Sequence, residues 1–415
     1  MVPTIKFETK GQPLNEDTAK HFRQLLVGPW LNQPEEYEGY NGFVGFPSVT
    51  ILRSGRWLMS FTSGSWHGSP PWTDEIAKNP HSRAYMEQWR VIDGNRCCLD
   101  IRSPRGGRVH LMFSDDQGKT WSKPETFINT DRDDRHPIIL ELDSGTLMCT
   151  FFTSQLPDGT ENPRHHAKYI MSQDGGQTWT EPTEHRPING GSACPAIQLA
   201  DGKVIWIVEQ QGEGANALRV IGVYGSNDRG QIFNRLSVVT ACEDLNEPTI
   251  AELSDGRLVL LARRNSYICF SKDQGNSWTE PVSIGIDMFD PHFLLMPNGI
   301  LACFHGSYKT GGLRVILSPD GGQTWHGPEE NLGYAVDTTV YGYSHPVLDQ
   351  DGTVFCVYQS TGGHLANDAR TMALWGLRLR INDSADGIEI LPSPQECVSK
   401  PVDTDGGDPE LGNLT

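Results

Sequence analysis

Ser114-Asp-Asp116-Gln-Gly118-Lys-Thr120-Trp121 decides how this chain is read, because the same phrase returns four more times. It recurs as Ser172-Gln-Asp174-Gly-Gly176-Gln-Thr178-Trp179, Ser271-Lys-Asp273-Gln-Gly275-Asn-Ser277-Trp278 and Ser318-Pro-Asp320-Gly-Gly322-Gln-Thr324-Trp325, with a degenerate copy at Ser226-Asn-Asp228-Arg-Gly230-Gln-Ile232-Phe233. The starts lie 58, 54, 45 and 47 residues apart, the length of a four-stranded sheet with its loops. Chemically the phrase is a hairpin turn. Ser and Asp oxygens accept from the turn's own amides, Gly supplies a positive φ, and Trp packs its ring between neighbouring sheets. None of these side chains has a titratable partner within the phrase, so it is a folding element and not a catalytic one.

A second repeat marks the strand that opens each unit: a residue, a proline, an apolar run and a Gly turn. Its six copies begin at Phe46-Pro47, His136-Pro137, Cys194-Pro195, Glu247-Pro248, Asp290-Pro291 and His345-Pro346. The matching turns are Ser54-Gly55, Ser144-Gly145, Asp201-Gly202, Asp255-Gly256, Asn298-Gly299 and Asp351-Gly352. Proline is tolerated where a strand begins, so six prolines in one register mean six equivalent strands. The expected fold is all-β, a six-bladed β-propeller over residues 41–392 with the turn motif in five blades. Residues 1–40 precede it, with Thr4–Glu8 as a closing strand. Blade one carries an insertion near residues 66–106, whose middle (Asp74–Trp89) holds a short helix. Ala373–Ile381 is a late strand of blade six, and residues 393–415 form a polar tail.

Composition narrows the function. The 415 residues carry 34 basic and 52 acidic side chains, a net charge of −18 that disfavours binding to phosphate backbones. Gly and Pro, 44 and 27 residues, argue against a helical bundle, and no apolar run is long enough for a membrane span. Nine cysteines, an odd number without a C-x-x-C pair, read as buried thiols in a reducing compartment. With no secretory signal at Met1–Glu8, the expected location is cytoplasmic, or secreted if a signal was removed. No nucleic-acid or membrane partner is expected; a homo-oligomer is compatible with the sequence.

The turns are the Asp-box, or BNR, repeats of the sialidase superfamily, and the chain resembles bacterial exo-sialidase-like glycoside hydrolases from about Asn41 to Ile381. In such a propeller the inner-strand starts converge on the axis. The wall is therefore expected to hold Phe46, His136, Cys194, Glu247, Asp290 and His345, with Arg135, His292 and Tyr343 close by. The resemblance implies a catalytic Glu247, a substrate-binding Arg263 sixteen residues later, and a nucleophilic Tyr343 in Tyr341-Gly-Tyr343-Ser. It further implies that Arg314, or alternatively Lys309, binds substrate. A phenol needs a base to take its proton, and Glu247 is that base for Tyr343.

Two departures stand out. Where sialidases carry Phe-Arg-Ile-Pro, this chain reads Val44-Gly45-Phe46-Pro47, leaving Arg135 on blade two as the substitute. For the acid/base Asp of the blade-one loop, Asp74, Asp93 and His67 are the options. The expected activity is an exo-acting hydrolase of a terminal acidic or deoxy sugar, with His136, Asp290, His292 and His345 lining the substrate site. No metal or cofactor is assigned. The alternatives are metal-assisted lyase or hydrolase chemistry through the same histidines and carboxylates, and a carbohydrate-binding propeller without turnover.

Overall fold

A computed structural model describes residues 5–7, 13–28, 31–88, 91–92, 95–96, 103–156, 164–192, 194–213, 217–263, 265–327, 333–360 and 372–393. Asp93, Trp89, Arg264 and residues 394–415 lie outside the described residues. Six antiparallel sheets follow one another along the chain, each ordered from its first strand outward. The first strands are Phe43–Ile51, Asp133–Glu141, Ala196–Gln198, Asn246–Glu252, Phe289–Leu295 and Gly342–Leu348. Six separate apolar clusters fill the six interfaces, one between each blade and the next, including blade six against blade one through Phe355 and Trp57. The sheets thus close into a six-bladed propeller.

Blade six closes the ring with residues from both ends of the chain. The outer edge of Leu374–Ile381 is shared: Arg23–Val27 pairs with its first half and Ile388–Leu391 with its second. Ile5–Phe7 then adds to Ile388–Leu391 as the outermost strand. Between the second and third strands of blade one lie a 3-10 turn at Ile76–Lys78 and the helix Pro80–Gln88. Among the described residues no helix is long and apolar enough to cross a membrane, and the six described cysteines are free thiols, five of them buried.

The repeated turns are alike in bonding. Ser114 Oγ donates to Asp116 Oδ1 and accepts from the Gly118 amide, each at 2.8 Å. Asp116 also accepts from the Thr120 amide at 2.8 Å and the Thr120 hydroxyl at 2.6 Å, while Trp121 Nε1 donates to the Gly118 carbonyl at 3.1 Å. Gly118 has φ 74°, the left-handed conformation the turn requires. The degenerate copy keeps the Ser226–Asp228 and Gly230 bonds but has Ile232 in place of the hydroxyl.

The inner strands begin with bulges. Phe46, His136, Glu247, Asp290 and Tyr343 have φ between 36° and 56°, and the register shifts beside them. Four of the five precede proline, which disfavours the right-handed helical conformation there. Blade six departs from the expected register. Its bulge falls on Tyr343, while Pro346 lies inside the strand opposite Cys356. Tyr343 is therefore the counterpart of Glu247 and Asp290, and His345 is the counterpart of His292, two residues past the bulge. Cys194 also departs: it packs with Met148, Tyr169 and Trp206 between blades two and three, away from the axis.

Candidate active site

A bulged residue turns its amide out of the ladder, and a buried amide needs another acceptor. The preceding blade supplies it. Gln359 of blade six accepts from the Phe46 amide at 2.7 Å, and Thr62 of blade one accepts from His136 at 3.2 Å. Glu209 of blade three accepts from Glu247 at 3.1 Å, and Glu247 itself accepts from Asp290 at 2.9 Å. These inter-blade bonds hold non-glycine residues in a conformation that costs about 1–3 kcal/mol each. Side chains from distant parts of the chain thereby meet at one end of the axis.

The centre of this cluster is Glu247. Its Oε1 accepts a hydrogen bond from Tyr343 Oη at 3.0 Å, and its Oε2 lies 2.9 Å from Arg263 Nε. Arg263 also donates to Tyr308 Oη. Glu247 and Tyr343 are each 4% exposed and Asp290 only 2%. Burial holds the Glu247 carboxyl above its ordinary range, against the pull of the Arg263 guanidinium. Burial likewise pushes the Tyr343 phenol well above its usual value, and the Glu247 carboxylate adds to that. Phe46 meets the Tyr343 ring edge-on at 5.0 Å, and Phe289 lies 5.2 Å from it on another side. The phenol is fixed in place, with its proton already directed at a carboxylate.

Asp290 lies beside this pair, 3.3 Å from His136 Nε2 and 3.4 Å from His292 Nε2 at Oδ1. Burial alone would raise its pKa, but the two imidazoles outweigh that and hold it well below the carboxylate range. The His345 ring lies 4.8 Å from that of His292, tilted at 57°, and accepts from the Val49 amide through Nδ1 at 3.5 Å; burial keeps it far below the ordinary imidazole value.

Arg135 stands over the Phe46 ring at 5.6 Å, its Nε donating to Asp133 at 2.5 Å and its Nη2 to the Trp66 carbonyl at 3.1 Å. Its buried Nη1 has no hydrogen-bond partner among the described residues. His67 lies 5.8 Å from the same Phe46 ring. The structure thus brings together Glu247, Tyr343, Arg263, Asp290, His136, His292 and His345, with Arg135 and His67 against Phe46 at the edge.

Three residues lie elsewhere. Arg314 shares its strand face with Ile316, which packs against blade four, and its Nη1 reaches the Gly333 carbonyl at 3.4 Å. Strand alternation therefore aims it between blades four and five and not at the axis. Lys309 is exposed, its amide donating to Asp287. Asp74 is exposed ahead of the 3-10 turn, and no hydrogen bond or ion pair joins it to the cluster among the described residues.

Sequence reading missed Glu209, which caps the Glu247 amide, accepts from Ser192 and pairs with Arg219 at 2.6 Å. The available signal was an acidic residue closing the apolar run Val204–Val208, at a level matching Arg263 of the next blade. Asp133 and Tyr308, the partners of the two arginines, were missed as well.

Against known proteins, the BNR repeat-like domain family matches residues 108–356. A protein of unknown function from Dyadobacter fermentans is similar in structure at TM-score 0.63 and 16% identity, covering 89% of this chain and 98% of that one. The NanB sialidase from Streptococcus pneumoniae is similar at TM-score 0.56 and 12% identity, over 90% of this chain and 73% of that one. The leech intramolecular trans-sialidase gives TM-score 0.57 and 12% identity, over 85% and 71%. At these identities the likeness is one of fold. No curated protein matches the sequence.

Proposed function

We propose that this chain, which belongs to the BNR repeat-like domain family, is an exo-acting glycoside hydrolase whose nucleophile is Tyr343 and whose base is Glu247. The observation that carries the reading is the 3.0 Å hydrogen bond from the buried Tyr343 hydroxyl to the Glu247 carboxylate. In the first step the Tyr343 oxygen bonds to the anomeric carbon as its proton passes to Glu247. The glycosidic bond breaks, and the leaving oxygen takes a proton from a general acid at the edge of the site. Water, losing a proton to the conjugate base of that acid, then displaces the phenol oxygen, which recovers its proton from Glu247. His67 is the better placed acid, because it lies beside Phe46 while Asp74 is exposed and apart.

A neutral phenol suits a sugar whose own negative charge repels a carboxylate nucleophile. Arg135, with an unpartnered Nη1, and Arg263 supply positive charge for a sugar carboxylate. With Phe46 on blade one and Arg314 turned away from the axis, this is a smaller cationic set than a triad of arginines. That favours a terminal acidic or deoxy sugar other than an ordinary sialic acid.

The test is release of sugar from a panel of aryl glycosides and oligosaccharides. Tyr343→Phe and Glu247→Gln should each lower kcat by about 100-fold or more, with unchanged circular dichroism. Absence of release from every member, or full turnover in both variants, would defeat the reading.

A further inference from the structure

Buried carboxylates need compensating charge, and at this hub three have a guanidinium: Glu247 with Arg263, Glu209 with Arg219 and Asp133 with Arg135. Asp290 does not. Among the described residues its ion-pair partners are two imidazoles, which carry no fixed charge. His136 comes from blade two and Asp290 and His292 from blade five, opposite blades that meet across the axis.

The spacing is long for a hydrogen-bonded set and suits shared ligation. Asp290 Oδ1 stands 3.3 and 3.4 Å from the two Nε2 atoms, and among the described residues no contact to it meets strict hydrogen-bond angles. A short N–H···O bond would close to about 2.9 Å. Neighbouring ligand atoms around a tetrahedral ion with bonds of ~2.0–2.1 Å lie ~3.4 Å apart. The ligand atoms of all three residues lie within 4.8 Å of one another, so a modest inward movement of one imidazole would complete the set. All three side chains are buried and mounted on inner strands, two of them on backbone bulges capped by a neighbouring blade. His345 packs against His292, its ring tilted at 57° and 4.8 Å away.

We propose that His136 Nε2, His292 Nε2 and Asp290 Oδ1 bind one divalent first-row transition ion of the zinc type, beside the Glu247–Tyr343 pair. Two imidazoles and one carboxylate select such an ion over Mg²⁺ or Ca²⁺, which prefer all-oxygen sites. Three protein ligands leave a coordination position open to a water or a substrate oxygen. The site is independent of the hydrolase reading, since metal content is measured without substrate.

The experiment uses the full chain, stripped with chelator and dialysed against Zn²⁺, with a parallel Co²⁺ titration followed by visible absorption. The expected result is one Zn²⁺ per chain and Co²⁺ bands of a low-symmetry, nitrogen-containing site. Asp290→Asn and His292→Gln should each weaken Zn²⁺ binding by about 100-fold, while Tyr343→Phe retains full metal. X-ray absorption on the unmutated zinc-loaded chain should show two imidazoles, which keeps the test decisive if the variants fail to fold. Stoichiometry far below one with no Co²⁺ bands, or binding unchanged in both variants, overturns the proposal in favour of a proton shared among the three groups.

Discussion

Blades four and five place a carboxylate at the same bulge, yet the two carboxylates live in different electrostatic surroundings. Glu247 and Asp290 both precede proline, and both have left-handed backbone, φ 36° and 46°. Opposite the residue before Glu247, the second strand carries Arg263; opposite the residue before Asp290, it carries Gly306. The Phe289 ring fills the space a side chain at 306 would need, 2.0 Å from where its Cβ would lie. One strand position thus determines the partner: a guanidinium with permanent charge for Glu247, and for Asp290 imidazoles from its own strand and from blade two. The propeller repeats a backbone device and varies the chemistry through the adjacent strand.

Removing one member of each pair should expose the difference. Arg263→Leu leaves Glu247 buried without its cation and should cost about 3–5 kcal/mol in urea unfolding. Asp290→Asn should cost far less, about 1 kcal/mol, since it leaves no buried carboxylate behind. Equal costs would erase the distinction. Next in size, Gly306→Ala should destabilise by about 1–3 kcal/mol through overpacking against Phe289, and Phe289→Leu in the same chain should recover part of it. Full stability in the single variant would show that the ring moves freely.

An imidazole without a carboxylate is the natural control. Burial lowers the pKa of His110 to about 3 and of His305 to about 4, so both stay neutral in the folded chain. In the unfolded chain they take up protons below about pH 6.5. The folded values are depressed, so stability is intact above that pH and falls as pH drops through the window down to about 4. The slope is up to ~1.4 kcal/mol per pH unit per group. His110→Gln should flatten the acid limb of a Tm-versus-pH curve; an unchanged limb would contradict this. The smallest effect belongs to the outer turns. Asp116→Ala removes bonds to the Thr120 amide and hydroxyl at an exposed site and should cost about 1 kcal/mol, leaving any hub activity intact.

The blade framework was more legible from sequence than the chemistry of the hub. Five copies of one turn and six prolines carry a period that needs no knowledge of long-range contacts, and the blades follow it. The meeting of Glu247 and Tyr343, 96 residues apart, was readable only through the ring that those periods imply. What escaped was finer than a strand register. A two-residue offset in blade six puts Tyr343, not His345, at the bulge, because Pro346 is accommodated within the strand. Strand alternation sends Arg314 between blades, and the capping of inner-strand amides by Gln359, Thr62 and Glu209 joins residues with no shared motif.

The most direct test of the Tyr343 chemistry is to trap the sugar on the protein. The aryl glycoside turned over best should be remade with fluorine beside the anomeric carbon and an activated leaving group, then incubated with the chain and digested for peptide mass mapping. A single sugar bonded to the Tyr343 oxygen, absent from Tyr343→Phe, is the predicted result. A sugar bonded to Glu247 or Asp290 instead, or a product of inverted anomeric configuration with Tyr343 unlabelled, would contradict it.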